Sequence, residues 1–251
     1  LSLNYVTKIL SRFTYLHVSL SAKKVTSAQE AVAGMTQAHS APNEFVRLLM
    51  ALSALFLILP ASAGPGPQIT SLFDGKSFLG WQGDTRKFFR IQDGAIVGGT
   101  LRERIPHNEF LCTERSYSNF ELRLKFKVIG ANAGVQIRSR RIPDHYEVEG
   151  YQADLGDPEW WGCLYDESRR NKVLAKSNLA EVNKILKRDE WNEYRIRCEG
   201  RRIRLWINGY QTVDYLEQDE TLEQSGIIGL QIHGGPPSEA WYRDIFIEEL
   251  L

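Results

Sequence analysis

Cysteine is scarce. Three occur in 251 residues, Cys112, Cys163 and Cys198, and an odd number permits at most one internal disulfide, which excludes a disulfide-built scaffold. No CxxC or CxH spacing joins them, so a zinc knuckle is excluded as well; the expected state is a small buried hydrophobe, above all for Cys198. Net charge is also missing, because 31 Lys and Arg balance 31 Asp and Glu. That removes the basic excess of a nucleic-acid partner and leaves no long-range field to steer an ionic substrate. Strong helical periodicity is absent, and no repeat period is visible. The one long apolar run, 48–60 "LLMALSALFLILP", has 13 residues, short of the roughly 20 that a membrane helix needs.

That run has the flanks of a signal peptide. Arg47 precedes it and Ala61-Ser62-Ala63 follows it in a small-x-small pattern, so cleavage is expected near Ala63. Residues 1–63 are therefore read as a signal peptide with a disordered or mis-assigned upstream extension, Met35 being a sensible start. The mature protein is expected to be secreted or periplasmic and to have no membrane span. "GPGPQ" opens a linker over 64–69, and 70–251 form one domain, long enough to bury a large core.

What remains is rich in period-two alternation. In "NFELRLKFKVIG" (119–130), Phe120, Leu122, Leu124, Phe126 and Val128 alternate with Glu121, Arg123, Lys125 and Lys127; one face is dry and one wet. Similar runs occupy 133–140, 191–200, 201–215, 226–235 and 240–250. Asp93-Gly94 and Asn208-Gly209 are hairpin turns between such runs. Only 177–190 has apolar residues at helical spacing, at Leu179, Val182, Ile185 and Leu186. Many short antiparallel strands with Gly-rich turns predict an all-β sandwich or jelly roll with at most one or two short helices.

The densest chemistry lies in 150–167, "GYQADLGDPEWWGCLYDE". Alternation sets Gln152 and Asp154 on one face and Tyr151, Ala153 and Leu155 on the other. A regular strand would turn Glu147 and Glu149 to the Tyr151 face, so a bulge at Gly150 is predicted, gathering Glu147, Glu149, Gln152 and Asp154. Gln136 and Arg138 share one parity on their strand, as do Gln231 and His233 on theirs. Brought together, these strands would line a groove, with Trp160, Trp161 and Tyr165 as stacking surfaces and Asp166 beside them. The plainer reading makes Asp154–Arg138 an ion pair, the tryptophans core plugs, His233 a hydrogen-bonded strand end and "DESRR" (166–170) a solvated charge run.

Five phrases in order resemble one family: "SLFDGKSFLGW", "FELRLKFKVIGANAGVQIRS", "GYQADLG" with "WWGCLYDE", "WNEYRIRCEGRRIRLWINGYQTVDY" and "IGLQIHGGPPSEAWYRDIFI". Over about 70–251 the chain resembles the 3-keto-disaccharide hydrolase domain family. The resemblance implies a concanavalin A-like (laminin-G-like) jelly-roll sandwich of two antiparallel sheets and cleavage of glycosides oxidised at carbon 3. A 3-keto group acidifies the hydrogen on carbon 2, so base-initiated β-elimination or hydrolysis is the expected reaction, with a non-catalytic lectin-like module as the alternative. Asp154 or Glu149 is then the candidate base, Arg138 and His233 the enolate stabilisers, and Gln152 the sugar-orienting amide. Glu147, Gln136, Trp160, Trp161, Tyr165, Asp166 and Gln231 are candidate substrate contacts. Calcium or another divalent cation has hard ligands in Glu149, Asp154 and Asp166, but no EF-hand spacing accompanies them, so no cofactor is expected. The expected partner is the carbohydrate itself; no protein partner is inferred.

Overall fold

A computed structural model describes residues 68–250. The signal-peptide reading falls on residues outside that range. Among the described residues, fifteen strands form two antiparallel sheets packed face to face, accompanied by one short helix. The strands are β1 (Ile69–Ser71), β2 (Trp81–Gln82), β3 (Phe89–Gln92), β4 (Ala95–Thr100), β5 (Glu109–Tyr117), β6 (Phe120–Ile129), β7 (Asn132–Arg141) and β8 (Val148–Gly156). They continue as β9 (Leu164–Glu167), β10 (Lys172–Ala175), β11 (Asn192–Glu199), β12 (Arg202–Ile207), β13 (Tyr210–Leu216), β14 (Gly226–Ile232) and β15 (Ser238–Glu249). The helix α1 is Leu179–Ile185, shorter than the apolar spacing over 177–190 suggested. β1 opens within the expected linker and pairs with β15.

One sheet runs β13-β12-β11-β6-β15-β4-β3, and the other runs β10-β9-β8-β7-β14-β5-β2. The alternating runs sit where period two requires. Phe120, Leu122, Leu124, Phe126 and Val128 of β6 are buried against Tyr194, Ile196 and Cys198 of β11 and the inner residues of the facing sheet. Asn208 and Gly209 both have positive φ, 47° and 83°, as a tight turn between β12 and β13 demands. All three cysteines are buried and free. Among the described residues, no helix is long and apolar enough to cross a membrane.

The predicted bulge exists, but on the neighbouring strand. Ile137 lies opposite Tyr151 and Arg140 opposite Glu149, so two residues of β7 face the single Gly150 of β8. The extra residue is at Arg138–Ser139, and Arg138 takes a left-handed φ of 48°. β8 alternates without interruption, so Glu149 shares the inward side with Tyr151 and is not gathered beside Asp154. The physical reason is steric. Gly150, with φ of 140°, lies against Ser139, where an added Cβ would come within 2.5 Å of the serine Oγ. Gly150 accommodates the partner's bulge rather than making its own.

Candidate active site

The outer face of the second sheet carries Gln136 and Gly134 of β7, Gln152 and Asp154 of β8, Tyr165 and Glu167 of β9, and Gln231 of β14. The register fixes this, because Gln136 stands opposite Gln152, Gly134 opposite both Asp154 and Gln231, and Tyr165 opposite Gln152. At one end of this face is a cleft of about 450 Å³, lined by Asn132, Gln152, Asp154, Asp157, Trp160, Tyr165, Glu167 and His233 among others. Its size suits a small ligand. None of the described residues lining it is Arg or Lys.

Two carboxyls in the cleft are displaced from their ordinary range. Burial pushes Asp154 up to about 8; a hydrogen bond from Gln152 pulls the other way, and the charge of Glu167 adds to the rise. Burial also raises Glu167 to about 7, helped by the nearby charge of Glu147. Desolvation penalises the charged form, so Asp154 holds its proton at neutral pH and Glu167 stands near half-protonation. Cys163 lies beside the Asp154 carboxyl, Sγ to Oδ2 at 3.7 Å. His233 follows the end of β14, and its Nδ1 is 2.6 Å from the Gly234 carbonyl oxygen. A carbonyl only accepts, so Nδ1 carries the ring proton and Nε2 is left as the basic nitrogen. Trp160 meets Tyr165 edge-on, centroids 5.9 Å apart, as one wall.

The structure brings together Asp154, Gln152, Trp160, Tyr165 and His233 from the expected set, with Gln136 behind them, and separates the rest. Arg138 is turned away by the bulge. Its guanidinium donates to the carbonyls of Ser118 (2.7 Å) and Gly200 (2.6 Å), to Gln224 Oε1 (2.8 Å) and to Asn119 Oδ1 (3.2 Å). Those acceptors belong to turns at the sheet ends, and Arg138 is 3% exposed, so it ties turns together and stabilises no enolate here. Glu149 pairs with Arg140 and lines a different groove, which removes it as a base. Asp166 is fully buried on the inward side in ion pairs with Arg169 and Arg170. Arg170 continues to Glu217, whose carboxyl burial would raise but whose Arg170 hydrogen bond helps hold at about 2. Asp166 is therefore structural.

The adjacent tryptophans part company. Trp161 is a core plug, stacked on Phe126 with its Nε1–H donating to Asp157 Oδ1 at 2.9 Å. Glu147 accepts from Ser168 Oγ (2.9 Å) and Asn108 Nδ2 (3.3 Å) and acts on the cleft only through its charge. Gln231 is fully buried, and neither of its side-chain polar atoms has a partner. Glu149, Asp154 and Asp166, considered above for a cation, each have separate partners. Among the described residues, no group of three His, Cys, Asp or Glu side chains is arranged to hold a metal ion. Glu167 escaped the sequence reading because it sits in the "DESRR" charge run; the signal was its parity with Tyr165 and Gln152 across β8 and β9.

Residues 68–248 match the family model of the 3-keto-alpha-glucoside-1,2-lyase-like domain. No curated protein matches the sequence. Among solved structures, a "putative glycosyl hydrolase" of Parabacteroides distasonis aligns with a TM-score of 0.55 at 20% identity, over 73% of this chain and 94% of that one. The carbohydrate-binding module CBM66 from Bacillus subtilis aligns at 0.53 and 14% identity, over 68% and 96%. A Bacillus subtilis protein of unknown function with a galectin-like fold aligns at 0.52 and 12%, over 72% and 94%. At such identities the likeness is one of fold: the jelly-roll sandwich that the strand pattern predicts, in the lectin-like form that the family resemblance implies. The family match is of a different kind, running through every strand from β1 to β15, and by it the chain belongs to the 3-keto-alpha-glucoside-1,2-lyase-like (3-keto-disaccharide hydrolase) domain family.

Proposed function

We propose that the protein cleaves 3-keto-glycosides by β-elimination in the cleft around Asp154. Family membership supports a carbohydrate-active protein, and the carrying observation is the convergence of His233, Asp154 and Glu167 on one aromatic-walled cleft. His233 Nε2 takes the proton from carbon 2 of the sugar. The electron pair moves toward the ketone at carbon 3 as an enolate, then forms the carbon 1–carbon 2 double bond as the anomeric oxygen leaves. That oxygen needs a proton, and Glu167, balanced near neutrality, is suited to give it. No Arg or Lys is among the described residues lining the cleft, so the group assigned to the developing enolate oxygen is a neutral acid, the protonated Asp154. A buried carboxylic acid kept neutral to donate a hydrogen bond is an established device for enolates. This reverses the roles expected from sequence: Asp154 is the acid and His233 the base. Trp160 and Tyr165 stack on the sugar ring. Addition of water to the enone gives net hydrolysis.

The test is incubation with an aryl 3-keto-glucoside, following aglycone release and the ultraviolet absorbance of the enone. Release is expected from the wild type and should fall roughly a hundred- to ten-thousand-fold in His233→Ala, the usual worth of a general base. Saccharide binding without turnover would overturn the enzymatic reading in favour of a binding module.

A further inference from the structure

We propose that Ser139 and Gln136 are positioning residues for Asp154, joined to it through Gln152 in a one-way hydrogen-bond chain that fixes the carboxyl proton on Oδ2. Ser139 Oγ–H donates to Gln136 Oε1 at 2.7 Å, Gln136 Nε2–H donates to Gln152 Oε1 at 2.6 Å, and Gln152 Nε2–H donates to Asp154 Oδ1 at 2.8 Å. All four side chains are buried, none more than 3% exposed.

The direction of the chain is that of its two amides: Gln152 Nε2–H points at Asp154 Oδ1 and Gln136 Nε2–H at Gln152 Oε1, so Oδ1 is an accepting oxygen of the carboxyl. Gln152 must then turn its NH₂ toward Asp154 and its carbonyl toward Gln136. Gln136 must in turn offer its NH₂ to Gln152 and its carbonyl to a hydroxyl. Ser139 supplies that hydroxyl; the Ile137 and Tyr151 carbonyls, at 3.1 and 3.4 Å, are its more distant acceptors. With Oδ1 occupied as an acceptor, the proton of neutral Asp154 resides on Oδ2.

Two backbone features build the chain. In a regular strand, residues 136 and 139 point to opposite faces. The left-handed Arg138 shifts the parity and returns Ser139 to the face of Gln136, so the bulge that removes Arg138 from the cleft delivers Ser139 to the chain. Gly134 leaves room for Gln152 to lie across β7, since a Cβ there would sit 2.7 Å from the Gln152 side chain.

The other ionisable neighbours of Asp154 act differently. Glu167 and Tyr165 face it from β9. The Cys163 thiol, on the loop before β9, donates weakly to one lone pair of Oδ2 at 3.7 Å and leaves the other for the carboxyl proton, and Tyr194 of β11 and Tyr242 of β15 lie beneath it in the core. Asp157 and His233 share its cleft. Gln152 alone gives its side chain an N–H bond. The catalytic meaning of the chain rests on the function proposed above; the position of the proton does not.

The test uses the full chain with carboxyl-labelled aspartate. The titration of Asp154 is followed by ¹³C NMR in wild type, Ser139→Ala, Ser139→Thr and Gln136→Leu, with thermal melting to establish folding. Loosening Gln152 withdraws a bond that favours the carboxylate, so the Asp154 midpoint should rise by about half to one pH unit in Gln136→Leu and by less in Ser139→Ala. Ser139→Thr, which keeps a hydroxyl, should restore it. In turnover, kcat should fall about tenfold at unchanged KM. An unmoved Asp154 midpoint in folded Ser139→Ala and Gln136→Leu overturns the proposal. If Gln136→Leu does not fold, the alanine and threonine pair decides it. A moved midpoint with full turnover in Asp154→Asn leaves the chain standing and removes the function.

Discussion

Replacing Asp154 by asparagine is expected to make the protein more stable while removing its turnover. In the folded protein the Asp154 carboxyl keeps its proton up to about pH 8, whereas in the unfolded chain it ionises near its ordinary value of 3.8. Between those two values the unfolded state releases a proton that the folded state retains, and stability falls as pH rises. Each pH unit in that window costs ~1.4 kcal/mol, so at pH 7 the wild type carries a penalty of about 4 kcal/mol from this one group. Asparagine has no charge to lose. It keeps an acceptor for Gln152 but brings an amide N–H short of partners, which returns about 1–2 kcal/mol. The net gain is on the order of 2–3 kcal/mol near neutrality, a melting-temperature rise of about 5–10 °C for a domain of this size. Urea unfolding from pH 4 to pH 8.5 checks it. The variant should be about 1–2 kcal/mol less stable near pH 4, overtake the wild type as the pH rises toward neutrality, and gain nothing further above pH 8. A constant difference across that range, or a less stable variant at pH 7.5, would refute the burial argument and the acid role built on it.

Three further outcomes follow from the same geometry. Arg138→Met removes donors to four acceptors around the sheet-end turns, so it should cost about 3 kcal/mol or more in urea unfolding, while turnover per folded molecule stays within about twofold. Trp160→Ala deletes the half-buried aromatic wall of the cleft and should raise KM about tenfold with little change in kcat, read from initial rates. The kcat/KM profile should decline on its alkaline side between about pH 7 and 8, as Glu167 and then Asp154 lose their protons; a rate that climbs through that window would assign the base role to a carboxylate instead.

Much of the fold was legible because alternation is a local property. The β6 residues Phe120 to Val128 announce one dry face, and Asn208-Gly209 announces a turn that few other pairs adopt. The cleft was legible only as far as that parity stayed intact. That Gln152 and Asp154 share one face follows from the alternation of their own strand. Arg138 was lost because one inserted residue in β7 inverts every side chain beyond it, and nothing in "VQIRSR" separates a bulge from a continuing strand. The two tryptophans of "EWWG" lie in a loop, where no periodicity applies, so which enters the core is decided by Phe126 and Asp157, partners remote or unremarkable in sequence. Glu167 looked like surface because its two arginine neighbours are charged; that Arg170 turns inward to Asp166 and Glu217 is a tertiary fact. The proton on His233 depends on a single carbonyl, that of Gly234.

The position of β15 has a bearing on how the molecule is made. The last strand of the domain is not an edge but the middle of its sheet, inserted between β6 and β4. Without β15, β6 and β4 have no common neighbour, and the first sheet is reduced to two unconnected ribbons. The strand latest in the domain's sequence is therefore the one that closes its first sheet, so shortening the domain within β15 splits that sheet rather than trimming its rim.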